Sequence, residues 1–270
     1  MSLALPLVSP APHRLGIPNT GRHCKNMEIP HPLTIISPHL EDAVFSCGSL
    51  LAASRQALVI TVFAGLPGPE LTAPAHDSAA GFASARAAME ARRHEDARAL
   101  STLGADPVWL DFLEQQYGQR YDAVSIALRL GRLLALQPGG TVVAPMGLRH
   151  ADHMLVNAAC MLVREAAFAD LPETVPHGDH DGHVAPFRWI FYEEAIYRRM
   201  PGATQSRMVG WWQEGLLASP VHMPISVFTA QKARAVQAYE SQLALFSPAQ
   251  LADVCAPERY WSLDAIDVHR

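Results

Sequence analysis

Charge is scarce in this chain. Its 270 residues carry 21 Lys and Arg against 26 Asp and Glu, a formal net charge of -5. No block of Lys or Arg stands out, which excludes the basic face a nucleic-acid partner requires. Cysteine is equally sparse. Cys24, Cys47, Cys160 and Cys255 show no C-x-x-C spacing, so no disulfide framework is expected and a reducing cytoplasm is the natural setting. No apolar run reaches the roughly 20 residues needed to cross a bilayer. The opening stretch MSLALPLVSPAPHRLG lacks a basic start and is broken by Pro6 and Pro10, so a signal peptide is not expected. Residues 1–30 read as a poorly ordered extension ahead of one domain over 31–270. The turn after the first strand also lacks G-x-G-x-x-G, which removes the phosphate cradle of a nucleotide-binding domain.

What is present is an alternation. Hydrophobic residues make up 49% of the chain, enough to fill one large α/β interior. Short β-rich runs at Leu33–Ser37, Ala57–Phe63, Pro107–Phe112, Thr141–Ala144 and Trp189–Tyr192 alternate with helical patterns at 43–54, 84–103, 121–136 and 153–167. A last helix is expected near 230–246. Strands separated by helices predict a Rossmann-like three-layer sandwich whose mostly parallel sheet is covered on both faces. Residues 64–83 and 171–187 interrupt the pattern as irregular insertions.

Two polar clusters follow apolar strands. SPHLED places His39, Glu41 and Asp42 at the carboxyl end of the first strand, and RHADH places His150, Asp152 and His153 after Thr141–Ala144. Open α/β sheets bind ligands at such strand ends. Two imidazoles and a carboxylate from two strand ends suit Zn²⁺, which takes three protein ligands in catalytic sites and leaves a position open. The remaining acid–base groups, Glu41, His150 and Asp152, are the types metal-assisted hydrolysis needs. Either cluster alone would read as a polar turn, with Asp152 as a helix N-cap.

SPHLEDAVFSCG resembles the PHPDDE or SPHxDDAVLSxG signature of the PIG-L/LmbE family of zinc-dependent deacetylases, and RHADHMLV resembles that family's HPDH motif. RRHEDARALSTLGA, FYEEAIY and KARAVQAYESQ are similar to weaker family segments in the same order. The resemblance implies that His39, Asp42 and His153 hold the metal and that Glu41 is the general base. It implies that His150 stabilises the oxyanion or protonates the leaving amine, with Asp152 orienting it. It also implies that Arg92 and Glu114 line the substrate pocket. The implied reaction releases acetate and a free amine from an N-acetylated sugar or similar small molecule.

Glu41 stands where the family usually has aspartate, adding a methylene to the base. A metal-retaining sugar-binding protein with lost or weakened catalysis is therefore the alternative. Leu148 occupies the position of a mobile tyrosine in some relatives. His177, His180 and His183 crowd HGDHDGH, which reads as a solvated loop, as does His23–Cys24 in the extension. Arg92 and Glu95 are spaced to form a helical ion pair. Trp211 and Trp212 read as core. Oligomeric state has no signature here.

Overall fold

The computed structural model describes residues 25–54, 56–136, 139–169 and 187–266. Eight strands form one sheet: β1 (Lys25–Asn26), β2 (Leu33–Ser37), β3 (Ala57–Thr61), β4 (Ala105–Trp109), β5 (Thr141–Pro145), β6 (Arg188–Tyr192), β7 (Leu216–His222) and β8 (Tyr260–Ala265). Their order is β1-β7-β8-β6-β5-β2-β3-β4. β8 runs antiparallel to both of its neighbours, and the remaining pairs are parallel. The helices are α1 (Asp42–Ala53), α2 (Ala75–Ala79), α3 (Ala85–Leu103), α4 (Ala123–Leu134), α5 (Ala151–Ala169), α6 (Ala203–Gln213), α7 (Thr229–Val236), α8 (Glu240–Leu243) and α9 (Pro248–Cys255).

The strand residues alternate between two cores, as a pleat with period two demands. Leu33 and Ile35 of β2, Val143 of β5 and Ile190 of β6 join Phe45, Leu50 and Tyr239 on one face. Ile36, Val142, Ala144 and Phe191 join Ile126, Val156 and Trp211 on the other. α1, α3 and α7 pack over the first face and α4 and α5 together over the second, which is the three-layer sandwich. Each fully buried Leu, Ile or Phe contributes roughly 1.5–3 kcal/mol by leaving water. Ser84 caps α3 by accepting the Ala87 N–H, and the helix ends at Gly104, whose φ of 68° suits glycine.

From β2 the chain winds outward through β3 to β4, then returns to set β5 on the opposite side of β2. The order reverses between β2 and β5, so a crevice opens at their carboxyl ends. Both polar clusters begin there.

Four expectations change. Part of the expected extension belongs to the sheet: Lys25 and Asn26 pair with Val221 and His222, and Pro30 is buried, while residues 1–24 lie outside the described residues. The final helix is two pieces, α7 and α8, broken where Tyr239 (φ -87°, ψ 55°) turns inward. β7 and β8 were not anticipated, since LLASPVH carries Pro220 within an edge-like pattern. Trp211 is core against Phe191, but Trp212 is 64% exposed. No helix among the described residues is long and apolar enough to cross a membrane.

Candidate metal centre and cavity

The loop after β2 is fixed by short-range hydrogen bonds. Ser37 Oγ donates to the His39 carbonyl (2.6 Å) and accepts the Ala43 N–H (3.0 Å). Asp42 Oδ2 accepts the His39 N–H at 3.0 Å. The Tyr239 hydroxyl contacts the Leu40 carbonyl at 3.2 Å and Asp96 Oδ1 at 2.8 Å. This chain of contacts turns His39 and Asp42 toward β5.

The loop after β5 meets them. His153, in the first turn of α5, is fully buried. Its Nε2 lies 3.0 Å from Asp42 Oδ2 and 3.2 Å from His39 Nδ1, and His39 Nδ1 lies 3.2 Å from Asp42 Oδ2. Three donors held 2.0–2.1 Å from a tetrahedral ion would be about 3.3 Å apart. Two imidazoles and a carboxylate in a triangle of that size fit a divalent metal. Among the described residues, His39, His150 and His153 form one cluster with ligand atoms within 4.8 Å of one another, and His39, Glu41 and Asp42 form another. Glu41 and His150 therefore flank the triangle.

Each imidazole has its own carboxylate behind it. His39 Nε2 faces Asp152 Oδ2 at 3.1 Å, and His153 Nδ1 faces Glu194 Oε1 at 3.3 Å. A carboxylate on the outer nitrogen keeps the proton there and frees the inner nitrogen as a ligand. Burial opposes a charge on His153, but Asp42 and Glu194 outweigh it and raise its pKa to about 9. Burial also opposes ionisation of Asp42, yet His153 and His39 hold its pKa well below the usual carboxylate range. The cluster thus favours positive charge at its centre.

The role expected of Asp152 is corrected. Its carboxylate orients His39, while its distance to His150 Nδ1 is 4.0 Å. The Asp152 backbone N–H does reach His150, donating to Nδ1 at 3.2 Å. That bond leaves Nε2 of a neutral His150 as the donor. Burial first, then the neighbouring His39 and His153, lower the pKa of His150 to about 4. Tyr197 stacks on its ring, 6.3 Å between centroids.

Glu41 occupies the N-cap position of α1, but its side chain makes no cap bond. The carboxylate lines the cavity instead. Burial, with repulsion from Asp42, raises its pKa to about 7. The cavity of about 470 Å³ is lined by Glu41, Arg92, Glu114, His150, Tyr197 and Phe246, among others.

Arg92 and Glu114 both line this cavity, yet the expected Arg92–Glu95 pair is not made. Arg92 Nη2 bonds Asp77 Oδ1, and its Nη1 lies 3.5 Å from Glu114 Oε1. Glu95 instead accepts the Ser241 N–H (2.8 Å) and hydroxyl (2.7 Å). Behind them Tyr117 donates to Asp77 Oδ2 at 2.8 Å. Residues 64–83 thereby reach the cavity through Asp77 and the lining His76. His177, His180 and His183 lie outside the described residues, as do His23 and Cys24. Leu148 is buried and its N–H is bonded to Glu194.

Sequence reasoning missed Glu194, although FYEEAIY follows the apolar strand β6 and the strand-end rule covers it. Asp77 gave no signal within its Gly- and Pro-rich stretch. Gly147, by contrast, is dictated by space: its φ is 77°, and a Cβ there would sit 2.7 Å from Asn157 Cβ.

A family model described as PIG-L, GlcNAc-PI de-N-acetylase, matches residues 34–164. Over these residues, just under half of its length, the chain is similar to the PIG-L family. The match begins in β2 and closes within α5, so it spans both loops that carry His39, Asp42 and His153 and stops short of Glu194. A search among curated proteins gave no match. Among solved structures, an A40926 pseudoaglycone deacetylase is 23% identical over 88% of this chain and 98% of its own, with a TM-score of 0.66. The zinc-inhibited form of a teicoplanin deacetylase is 21% identical over 90% of this chain and 100% of its own, with a TM-score of 0.65. A 4-carboxy-2-hydroxymuconate hydratase from Pseudomonas putida is 17% identical over 91% and 98%, with a TM-score of 0.56. These likenesses establish this chain's fold, and the hydratase marks how far chemistry can vary on it.

Proposed function

We propose that the protein is a zinc-dependent hydrolase that removes the acetyl group from an N-acetylated sugar or sugar-like metabolite. One observation carries the reading: His39, Asp42 and His153 converge as a metal-sized triangle, with Glu41 and His150 on either flank of the same cavity. A zinc ion held by these three residues would polarise the amide carbonyl and lower the pKa of a bound water. Glu41 takes the proton of the attacking water and passes it to the departing nitrogen. His150, neutral and with Nδ1 occupied by the Asp152 N–H, donates from Nε2 to the oxygen on which negative charge builds. Asp152 and Glu194 hold the two ligand rings in place. Water adds to the carbonyl carbon, the C–N bond breaks, and acetate and a free amine leave. Two of the solved relatives are deacetylases by name, which supports this chemistry. The free thiols Cys47, Cys160 and Cys255 fit a reducing, cytoplasmic setting.

The alternative, a metal-retaining sugar-binding protein, rests on Glu41 in place of the motif's usual aspartate. The two readings separate in one experiment. Protein stripped by a chelator and reloaded with zinc is assayed for amine release from N-acetylglucosamine glycosides. Glu41→Gln is expected to keep zinc and lose turnover, whereas Asp42→Ala and His153→Ala lose the metal. Turnover by the stripped protein at the rate of the reloaded one would overturn the mechanism. Zinc and sugar binding without turnover by the unaltered protein would support the binding reading.

A further inference from the structure

Of the charged groups around the cavity, Asp152 faces His39 and Glu114 faces Arg92. Glu41, Glu114 and Asp152 present carboxylates to it, and Arg92 is the only Lys or Arg among the described lining residues. Arg92 is 3% exposed. Its two terminal nitrogens are engaged by Asp77, Glu114 and Tyr117, and its Nε, though unpartnered, is buried, so no open fork faces an incoming phosphate or carboxylate. Other nearby cations turn away. Arg93 Nε donates to the Ala64 carbonyl, and Arg207 Nη2 donates to the Gly147 carbonyl.

A divalent ion at the triangle does not reverse this balance. Asp42 faces it directly, and Asp152 stands one imidazole away on His39 Nε2. Glu41 and Glu114 still face the cavity. The neutral lining includes Gln115, Gln116 and Gln242, whose amides both donate and accept and so suit sugar hydroxyls. Like charge placed against a partly desolvated carboxylate is penalised, and this is a general means of rejecting a wrong ligand.

We infer that the cavity selects an N-acetylated sugar unit that is uncharged or carries an ammonium group, and rejects one bearing phosphate or carboxylate. The inference rests on the proposed hydrolase reading for the amide itself.

Calorimetric titration of zinc-loaded full-length protein tests it with three probes: methyl N-acetylglucosaminide, N-acetylglucosamine 6-phosphate and mono-N-acetylated chitobiose, which carries a free ammonium. The phosphate is expected to bind at least about tenfold more weakly than the neutral glycoside, with the gap narrowing in high salt. The ammonium compound is expected to bind as tightly as the neutral one or more so. Gln115→Lys adds a cation at an exposed lining position whose backbone N–H, not its side chain, contacts Asp152. It is expected to improve phosphate binding, which distinguishes charge from size. Equal or tighter phosphate binding by the unaltered protein overturns the inference, and so does binding of none of the three. Amine release is scored separately: its absence with the binding order preserved overturns the hydrolase reading and leaves the charge selection standing.

Discussion

Glu194 Oε1 lies 3.3 Å from His153 Nδ1 and also accepts the N–H groups of Gly147 (2.7 Å) and Leu148 (2.9 Å). One buried oxygen thus fixes both the His153 ring and the loop that delivers it. The negative charge holds the His153 proton on Nδ1 and keeps Nε2 free to coordinate.

Glu194→Gln is expected to weaken metal binding by roughly 10- to 100-fold, the usual effect of losing a carboxylate behind a ligand histidine. The amide oxygen can still accept the two backbone N–H groups, so the fold is retained. Competition with a chromophoric chelator measures the affinity, and a value within twofold of the unaltered protein would refute this role.

Asp96 gives a pH prediction. It is fully buried between Trp109 Nε1 (2.7 Å) and the Tyr239 hydroxyl (2.8 Å), and burial raises its pKa from 3.8 to about 7. The unfolded chain loses this proton near pH 4, while the folded protein keeps it until about pH 7. Stability therefore falls as pH rises from 4 to 7 and is flat beyond, by an amount on the order of a few kcal/mol. In Asp96→Asn the amide oxygen can accept from Trp109 and the amide N–H can donate to Tyr239, whose own proton turns to the Leu40 carbonyl. The variant is expected to match the original near pH 5 and exceed it at pH 8 in urea midpoint. Parallel curves for the two proteins would contradict this.

Much of this architecture was legible because the sequence repeats it. The β2 run LTIIS and the two strand-end clusters carry local periodicity and residue types that need no tertiary knowledge. β7 was not legible, because Pro220 and an uneven polar pattern make LLASPVH a strand only once β8 lies alongside. The break between α7 and α8 was hidden for a similar reason: Tyr239 fits helical spacing but is drawn inward by Asp96, 143 residues away. Arg92 was read with its helical neighbour Glu95, while its partner Asp77 comes from a stretch without periodicity. At the site, the types and spacing of His39, Asp42 and His153 marked them, whereas Glu194 and the turn of Asp152 toward His39 depend on long-range packing.

The Asp77–Arg92 contact is fully buried on the aspartate side and 3% exposed on the arginine side. Removing Asp77 leaves the buried Arg92 with only the longer Glu114 ion pair at 3.5 Å, a loss of up to about 3–5 kcal/mol as in broken buried pairs. Asp77→Ala is accordingly expected to lower the melting temperature by several degrees or more and to loosen residues 64–83 against the cavity. Thermal unfolding at fixed zinc concentration checks it. An unchanged melting temperature would mean that Arg92 is held by Glu114 and Tyr117 alone.

The identity of residue 41 gives the last prediction. Glu41 heads α1 without capping it, and its carboxylate reaches within 4.8 Å of the ligand atoms of His39 and Asp42. That reach uses the full glutamate side chain, since the loop behind it is fixed by the Tyr239–Leu40 contact. Glu41→Asp withdraws the carboxylate by about one methylene, and a displacement near 1 Å can cost roughly 100-fold in rate. A fall in kcat of about 10- to 100-fold with unchanged zinc content is the expected result. The Leu40 anchor makes compensation by a loop shift unfavourable, so the loss should appear in kcat rather than in zinc affinity. A large gain in kcat would instead show that glutamate weakens a site whose optimum is the shorter side chain, and single-turnover measurements of amine release would distinguish that gain from faster product departure.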